Sequence, residues 1–206
     1  MKKILLLIVV LVCGFLIFTF LKNKALETPT PLNPEENRQE KPFPVLRSIS
    51  RGQVGMFKNG DPIPTDDLLL KSGYSATETT YYPEGMAQKA YIISENAEQV
   101  LILKLSYQNK INDINVLSPK FMTAEGIVVG STISDFIKAY PNYILWYSAE
   151  EGEHFVLNIT KDENSPQFFL DRSDLVDPKE NFFKKEITVS DFKADAQIRE
   201  IRVYGF

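Results

Sequence analysis

The run Gly130-Ser131-Thr132-Ile133-Ser134-Asp135-Phe136-Ile137-Lys138-Ala139-Tyr140-Pro141, followed by Tyr143-Ile144-Leu145-Trp146-Tyr147, decides the fold class. Ile133, Phe136, Ile137 and Tyr140 recur at helical spacing and share one face. Thr132 and Asp135 have capping-box spacing, and Pro141 ends the helix. A helix of two to three turns cannot stand alone and needs a sheet to cover its apolar face. The aromatic segment after it reads as a strand of that sheet. Tyr143, Leu145 and Tyr147 fall on one side of it, Ile144 and Trp146 on the other.

Working outward, a charged turn at 150–153 leads to a returning strand, His154 to Ile159. Gln167–Leu170, Glu186–Val189 and Ile198–Tyr204 read as further strands. Upstream, Thr65–Lys71 reads as a short helix ended by Gly73. Thr79–Tyr82 and Ala90–Ile93 are strand candidates, and Val100–Tyr107 with Ile111–Leu117 forms a hairpin. The expected class is α+β: an antiparallel sheet with one or two short helices packed on it.

The two halves, 46–121 and 122–206, carry similar patterns. Gly60-Asp61-Pro62-Ile63 sits like Gly130-Ser131-Thr132-Ile133, and Thr65 to Leu68 like Ser134 to Ile137 after a one-residue slip. Ile111 to Val116 sits like Ile198 to Val203. Duplication and chance recurrence of a common strand pattern both fit these strings.

Placement comes from the other end of the chain. Ile4 to Leu21 is 18 consecutive residues without charge, between Lys2-Lys3 and Lys22 with Lys24. As a helix it covers about 27 Å, close to the hydrocarbon thickness of a bilayer. A cleaved signal peptide is the rival reading, but no A-x-A site follows the run. Val10-Leu11-Val12-Cys13-Gly14 resembles a bacterial lipobox, which makes Cys13 a lipidation candidate, although Val12 is larger than that pattern wants. Residues 22–45 hold five prolines among charged residues and cannot bury a core. Extended, such a spacer reaches on the order of 70 Å. The expectation is a single-pass membrane protein whose domain, from residue 46 on, faces the periplasm or cell exterior.

Composition narrows the function. Six basic and four acidic residues lie before residue 46, so the domain keeps 17 of the 23 basic and 23 of the 27 acidic residues, a net of −6. That balance argues against nucleic acid as a partner. Beyond Cys13 there is no cysteine, hence no disulfide, thiolate metal site or cysteine nucleophile in the domain. His154 is the single histidine, and a zinc site would want more His or Cys ligands. Asp66 and Asp67 read as first-turn charge on a helix and Asp135 as a cap. No cofactor, metal or catalytic motif emerges.

The run Ile114-Asn115-Val116-Leu117-Ser118-Pro119-Lys120-Phe121, then Thr123 to Thr132, resembles uncharacterised exported or lipid-anchored bacterial envelope proteins. Its G-x-x-x-G-S-T passage into a helix and meander is similar to small outer-membrane lipoproteins of the barrel-assembly and β-lactamase-inhibitor-like group. The resemblance implies a binding role and carries over no functional residue. The reading is therefore non-catalytic binding of a protein or envelope component, with Tyr143, Trp146 and Tyr147 as binding candidates. A hydrolase using His154 with carboxylates, and a structural spacer or assembly factor, are the alternatives.

Overall fold

A computed structural model describes residues 47–82, 85–148, 154–159, 165–178 and 186–205. The expected anchor (4–21) with Cys13, the spacer and the turn at 150–153 lie outside the described residues. Among the described residues, no helix is long and apolar enough to cross a membrane.

The fold is α+β. Eight strands form one antiparallel sheet: β4 (Ser75–Tyr81), β5 (Gln88–Glu95), β6 (Glu98–Leu105), β7 (Ile111–Val116), β9 (Ile144–Ser148), β10 (His154–Asn158), β11 (Gln167–Leu170) and β12 (Glu200–Tyr204). Their spatial order is β4-β5-β6-β7-β12-β11-β10-β9. A second, small sheet joins β1 (Ser48–Ser50), β2 (Gln53–Val54), β3 (Phe57–Lys58) and β8 (Met122–Thr123) in the order β3-β2-β1-β8. Among the described residues there are two α-helices, α1 (Asp66–Lys71) and α2 (Ile133–Ala139).

The strand order is pseudo-symmetric about its centre. Each half runs helix and then four strands, and the last strands, β7 and β12, meet antiparallel at the centre. Ile114 pairs with Val203, Asn115 with Arg202 and Val116 with Ile201. Matching Ile111–Val116 to Ile198–Val203 makes this pairing symmetric, with a pseudo-twofold axis through Asn115 and Arg202. The entry turns agree as well. Gly60 N donates to Ile111 O and Ile111 N to Asp61 O, both at 2.8 Å. Gly130 N donates to Ile198 O at 2.8 Å and Ile198 N to Ser131 O at 2.9 Å. Gly60 and Gly130 both adopt left-handed backbone (φ 87° and 93°), where a side chain is disfavoured.

Each helix is capped by a threonine. Thr65 Oγ1 accepts from Leu68 N, while Thr132 and Asp135 form a reciprocal box with bonds of 3.1–3.2 Å. The caps align Thr65 with Thr132, so the first half carries three extra residues between glycine and cap, not one. Asp66 and Asp67 lie in the first turn of α1 as expected. The fourth residue after each cap, Leu69 or Phe136, is buried in the core.

One face of the large sheet is the core. Across the eight strands, Ala76, Ile93, Leu101, Val116, Ile201, Phe168, Leu157 and Leu145 follow in register, all apolar. Helix α2 seats Phe136 on Phe168 with ring centroids 4.8 Å apart. Ile49, Val54 and Phe57 of the small sheet and Leu69 of α1 join the same cluster. The segment expected as a strand at Glu186–Val189 is not one: its described residues are irregular and run into a 3-10 turn, Val189–Asp191. Thr188 and Asp191 explain this, because the Asp191 carboxylate accepts from Thr188 N at 2.8 Å and closes a local cap that competes with sheet pairing.

Candidate binding face

The other face of the large sheet is chemically different. The row through the pseudo-twofold axis reads Thr77, Ile92, Ile102, Asn115, Arg202, Gln167, Asn158 and Ile144. Four polar side chains thus stand side by side on β7, β12, β11 and β10. Beside them runs a second row, Glu200, Phe169, Val156 and Trp146, and a third places His154 across from Ser148. Val156 and Phe169 are buried but stand outside the main core cluster.

Arg202 anchors this face and is 8% exposed. Its guanidinium carbon lies 4.2 Å from the Phe169 ring centroid, a cation–π contact. Its Nε donates to Glu200 and its Nη1 to the Tyr204 hydroxyl, two residues to either side on the same strand face. Burial pulls the guanidinium pKa down, but Glu200 and Tyr204 outweigh it and hold it above its ordinary value. Asn115, opposite Arg202, is 5% exposed, and its Oδ1 is buried without a hydrogen-bond partner; Asn158 Oδ1 is in the same condition. Leaving a buried acceptor unpaired costs about 1–3 kcal/mol, so two of them on one row call for a reason.

The sequence candidates separate here. Tyr143, Leu145 and Tyr147 pack against the core; Tyr143 meets the Phe136 ring at 6.2 Å and Tyr147 the Phe155 ring at 5.2 Å. Trp146, on the opposite side of β9, is 38% exposed and belongs to the second face. His154 lies on that face too, edge-on to Phe169 at 5.5 Å between ring centroids. Asp171 follows β11 in line with His154. Its carboxylate is held below the usual aspartate range by hydrogen bonds from Ser173, against burial, with Arg199 and His154 adding. Asn115, Gln167, Asn158 and Arg202 carried no local signal in sequence. They are separated along the chain, and register alone brings them together.

Two concavities lie among other residues. One, about 400 Å³, is walled by the β6–β7 turn, Asn59 and Gly205; another, about 620 Å³, lies between β1 and β8. Among the described residues, no group of three or more His, Cys, Asp or Glu side chains is placed to hold a metal ion.

These features define a class: an α+β protein in which two similar helix-and-four-strand arrangements build one sheet, with helices and a small sheet on one face. No family model and no curated protein matches the chain. Among solved structures it is similar to the crystal structure of the uncharacterized protein yfeY from Escherichia coli, with a TM-score of 0.54 and 12% identity. The likeness covers 77% of this chain and 99% of that one. At that identity it speaks for the fold alone, and the fold is one that a bacterial protein also adopts.

Proposed function

We propose that this is a membrane-tethered, non-catalytic binding protein of a bacterial envelope, and that it presents the second face of its large sheet to a protein or envelope component. The observation that carries this reading is the composition of that face. It combines a row of buried and half-buried polar side chains, two of whose acceptors lack partners, with an exposed tryptophan. A face that merely met solvent would bear long charged side chains. The run at 4–21 supports the tether and the spacer supports reach, with the domain outside the cytoplasm. Photo-cross-linking tests the reading: benzoylphenylalanine at position 146 of the full chain, in the envelope of a bacterial host, with position 107 as control. Tyr107 is also exposed but lies on the β6–β7 turn. A specific adduct at 146 and not at 107 supports the reading; equal or absent labelling ends it.

A second reading, an envelope hydrolase, has one observation in its favour. Ser148 stands directly across from His154, with Asp171 in line beyond it. Against it, one Asp171 oxygen already accepts from Ser173 N at 2.7 Å as a cap. Labelling by a fluorophosphonate that disappears in Ser148→Ala would favour this reading, and an unlabelled wild-type chain would dispose of it.

A further inference from the structure

We infer that the free edge of the large sheet, strand β4, pairs antiparallel with β4 of a second copy of this chain. The surface is a different one from the second face. β4 stands first in the spatial order and, among the described residues, has β5 as its only neighbour. It is seven residues long, against five for β9 at the opposite edge. None of its residues is buried: Ser75, Thr77, Glu78 and Thr80 are exposed, and Ala76, Thr79 and Tyr81 are half-buried. Its register with β5 runs from Ser75 to Tyr81 without a bulge. Every second residue of such a strand turns its N–H and C=O outward. No loop or helix backbone among the described residues bonds to that outer row. Edges that must stay unpaired are kept short, bulged, or given proline or outward lysine. β4 has no proline, glycine or lysine. Its one charge, Glu78, is drawn back onto β5 by Lys89 Nζ at 3.2 Å and the Tyr91 hydroxyl at 2.9 Å. A row of alternating backbone donors and acceptors is satisfied by another strand.

The residue types of β4 point to a second copy as that strand. A twofold axis perpendicular to the sheet keeps the core sides of both copies together, and it sets each residue opposite one of the same pleat face. Centred on Glu78, the pairing would place the two Glu78 carboxylates directly opposite each other, which is destabilising. Centred on Thr79, it joins 77–81 of both copies. Thr79 then faces its own counterpart, Thr77 faces Tyr81, and Glu78 faces Thr80, whose neighbour on β5 is Lys89. Threonine pairs and aromatic pairs with β-branched residues favour strand association. The single negative charge of each edge falls opposite no other. The same rotation brings the two second faces onto one side of the joined sheet. On the binding reading of that face, a partner with repeated sites then engages both at once.

The test is a cysteine scan of the full chain in detergent, at protein concentrations up to about 0.1 mM. Cys13 is the single cysteine, so the scan starts from Cys13→Ala. Residues directly opposite in an antiparallel pair lie within disulfide reach. Under mild oxidation Thr79→Cys should form a linked dimer at least tenfold faster than Ser75→Cys, which the same register places far from its counterpart. Thr79→Lys sets two like charges face to face. It should keep the wild-type melting profile and raise the dimer dissociation constant at least tenfold, read by sedimentation equilibrium. The cysteine scan decides alone if this variant does not fold. The inference is overturned if the wild-type chain stays monomeric over the whole range, or if the two cysteine variants link at equal rates. A β4 cross-link to a different polypeptide, with no self-link, would also overturn it by giving the edge another occupant. None of these outcomes bears on labelling at position 146, so the binding reading is decided separately.

Discussion

Two residues show how backbone and charge are settled locally. The β5–β6 turn places Asn96 and Ala97 at φ 51° and 65°. Asparagine tolerates left-handed backbone, but alanine meets its own carbonyl there, at a cost of about 1–2 kcal/mol. Ala97→Gly should therefore stabilise the chain by about 0.5–1 kcal/mol net of the entropy glycine loses, read as a rise in urea midpoint at unchanged slope. Glu95, at the end of β5, is the hub of a charge cluster. Arg47 reaches both its oxygens, at 2.6 and 3.1 Å, and Lys120 approaches at 3.1 Å while also holding Glu98. Arg47 hydrogen bonds, against burial and with help from Lys120, hold the Glu95 carboxyl below its ordinary 4.5. The unfolded chain thus binds this proton more readily than the folded one. The cluster's stabilisation is complete above about pH 4.5 and is lost as pH falls through the depressed folded value. Glu95→Gln should lower the midpoint at neutral pH and leave a shallower acid decline than the wild type, measured by urea titrations from about pH 7 downward.

At the scale of elements, what was legible in the sequence was whatever repeats locally. Helix α2 could be placed from Ile133, Phe136, Ile137 and the Thr132–Asp135 box because all of these lie within one segment. Its cap should be measurable on its own: Thr132→Ala removes the oxygen that accepts from Asp135 N and should cost about 1 kcal/mol. Asp135→Asn, which keeps a side-chain acceptor, should cost less; thermal melts of the two variants decide. The hairpins β6–β7 and β9–β10 were readable for the same reason. The small sheet was not, because β2, β3 and β8 are two residues each and take their stability from tertiary packing, not from propensity. The apparent strand at Glu186–Val189 shows the converse, where a β-like composition yields to a local cap. The binding candidates divide by the same rule. Alternation told which of Tyr143, Trp146 and Tyr147 share a side, and the structure shows which side meets the core. The partners of Trp146 on the second face come from β7, β10, β11 and β12, and no short-range pattern announces them.

On the scale of the whole molecule, the pseudo-twofold pairing of β7 with β12 decides how the halves depend on each other. Either half alone would end in a strand, β7 or β12, with an unpaired edge and a one-sided apolar face. Joined at that edge, the two faces become one continuous core. Ile114 and Val116 of the first half pack in the same cluster as Ile201 and Val203 of the second, all of them fully buried. A seam of this kind leaves no plane along which one half can open cheaply, so the described domain should unfold as a single unit. Ile114→Ala tests this, since it deletes buried atoms on the first-half side of the seam while the fluorescent reporter, Trp146, sits at the far edge of the second half. The expected loss is about 2–5 kcal/mol. It should appear equally in Trp146 fluorescence and in far-ultraviolet circular dichroism, with coincident transitions. If Trp146 kept its wild-type midpoint while the dichroism split into two steps, the halves would be separate folding units, and the pseudo-twofold seam would be a contact between two domains and not the centre of one.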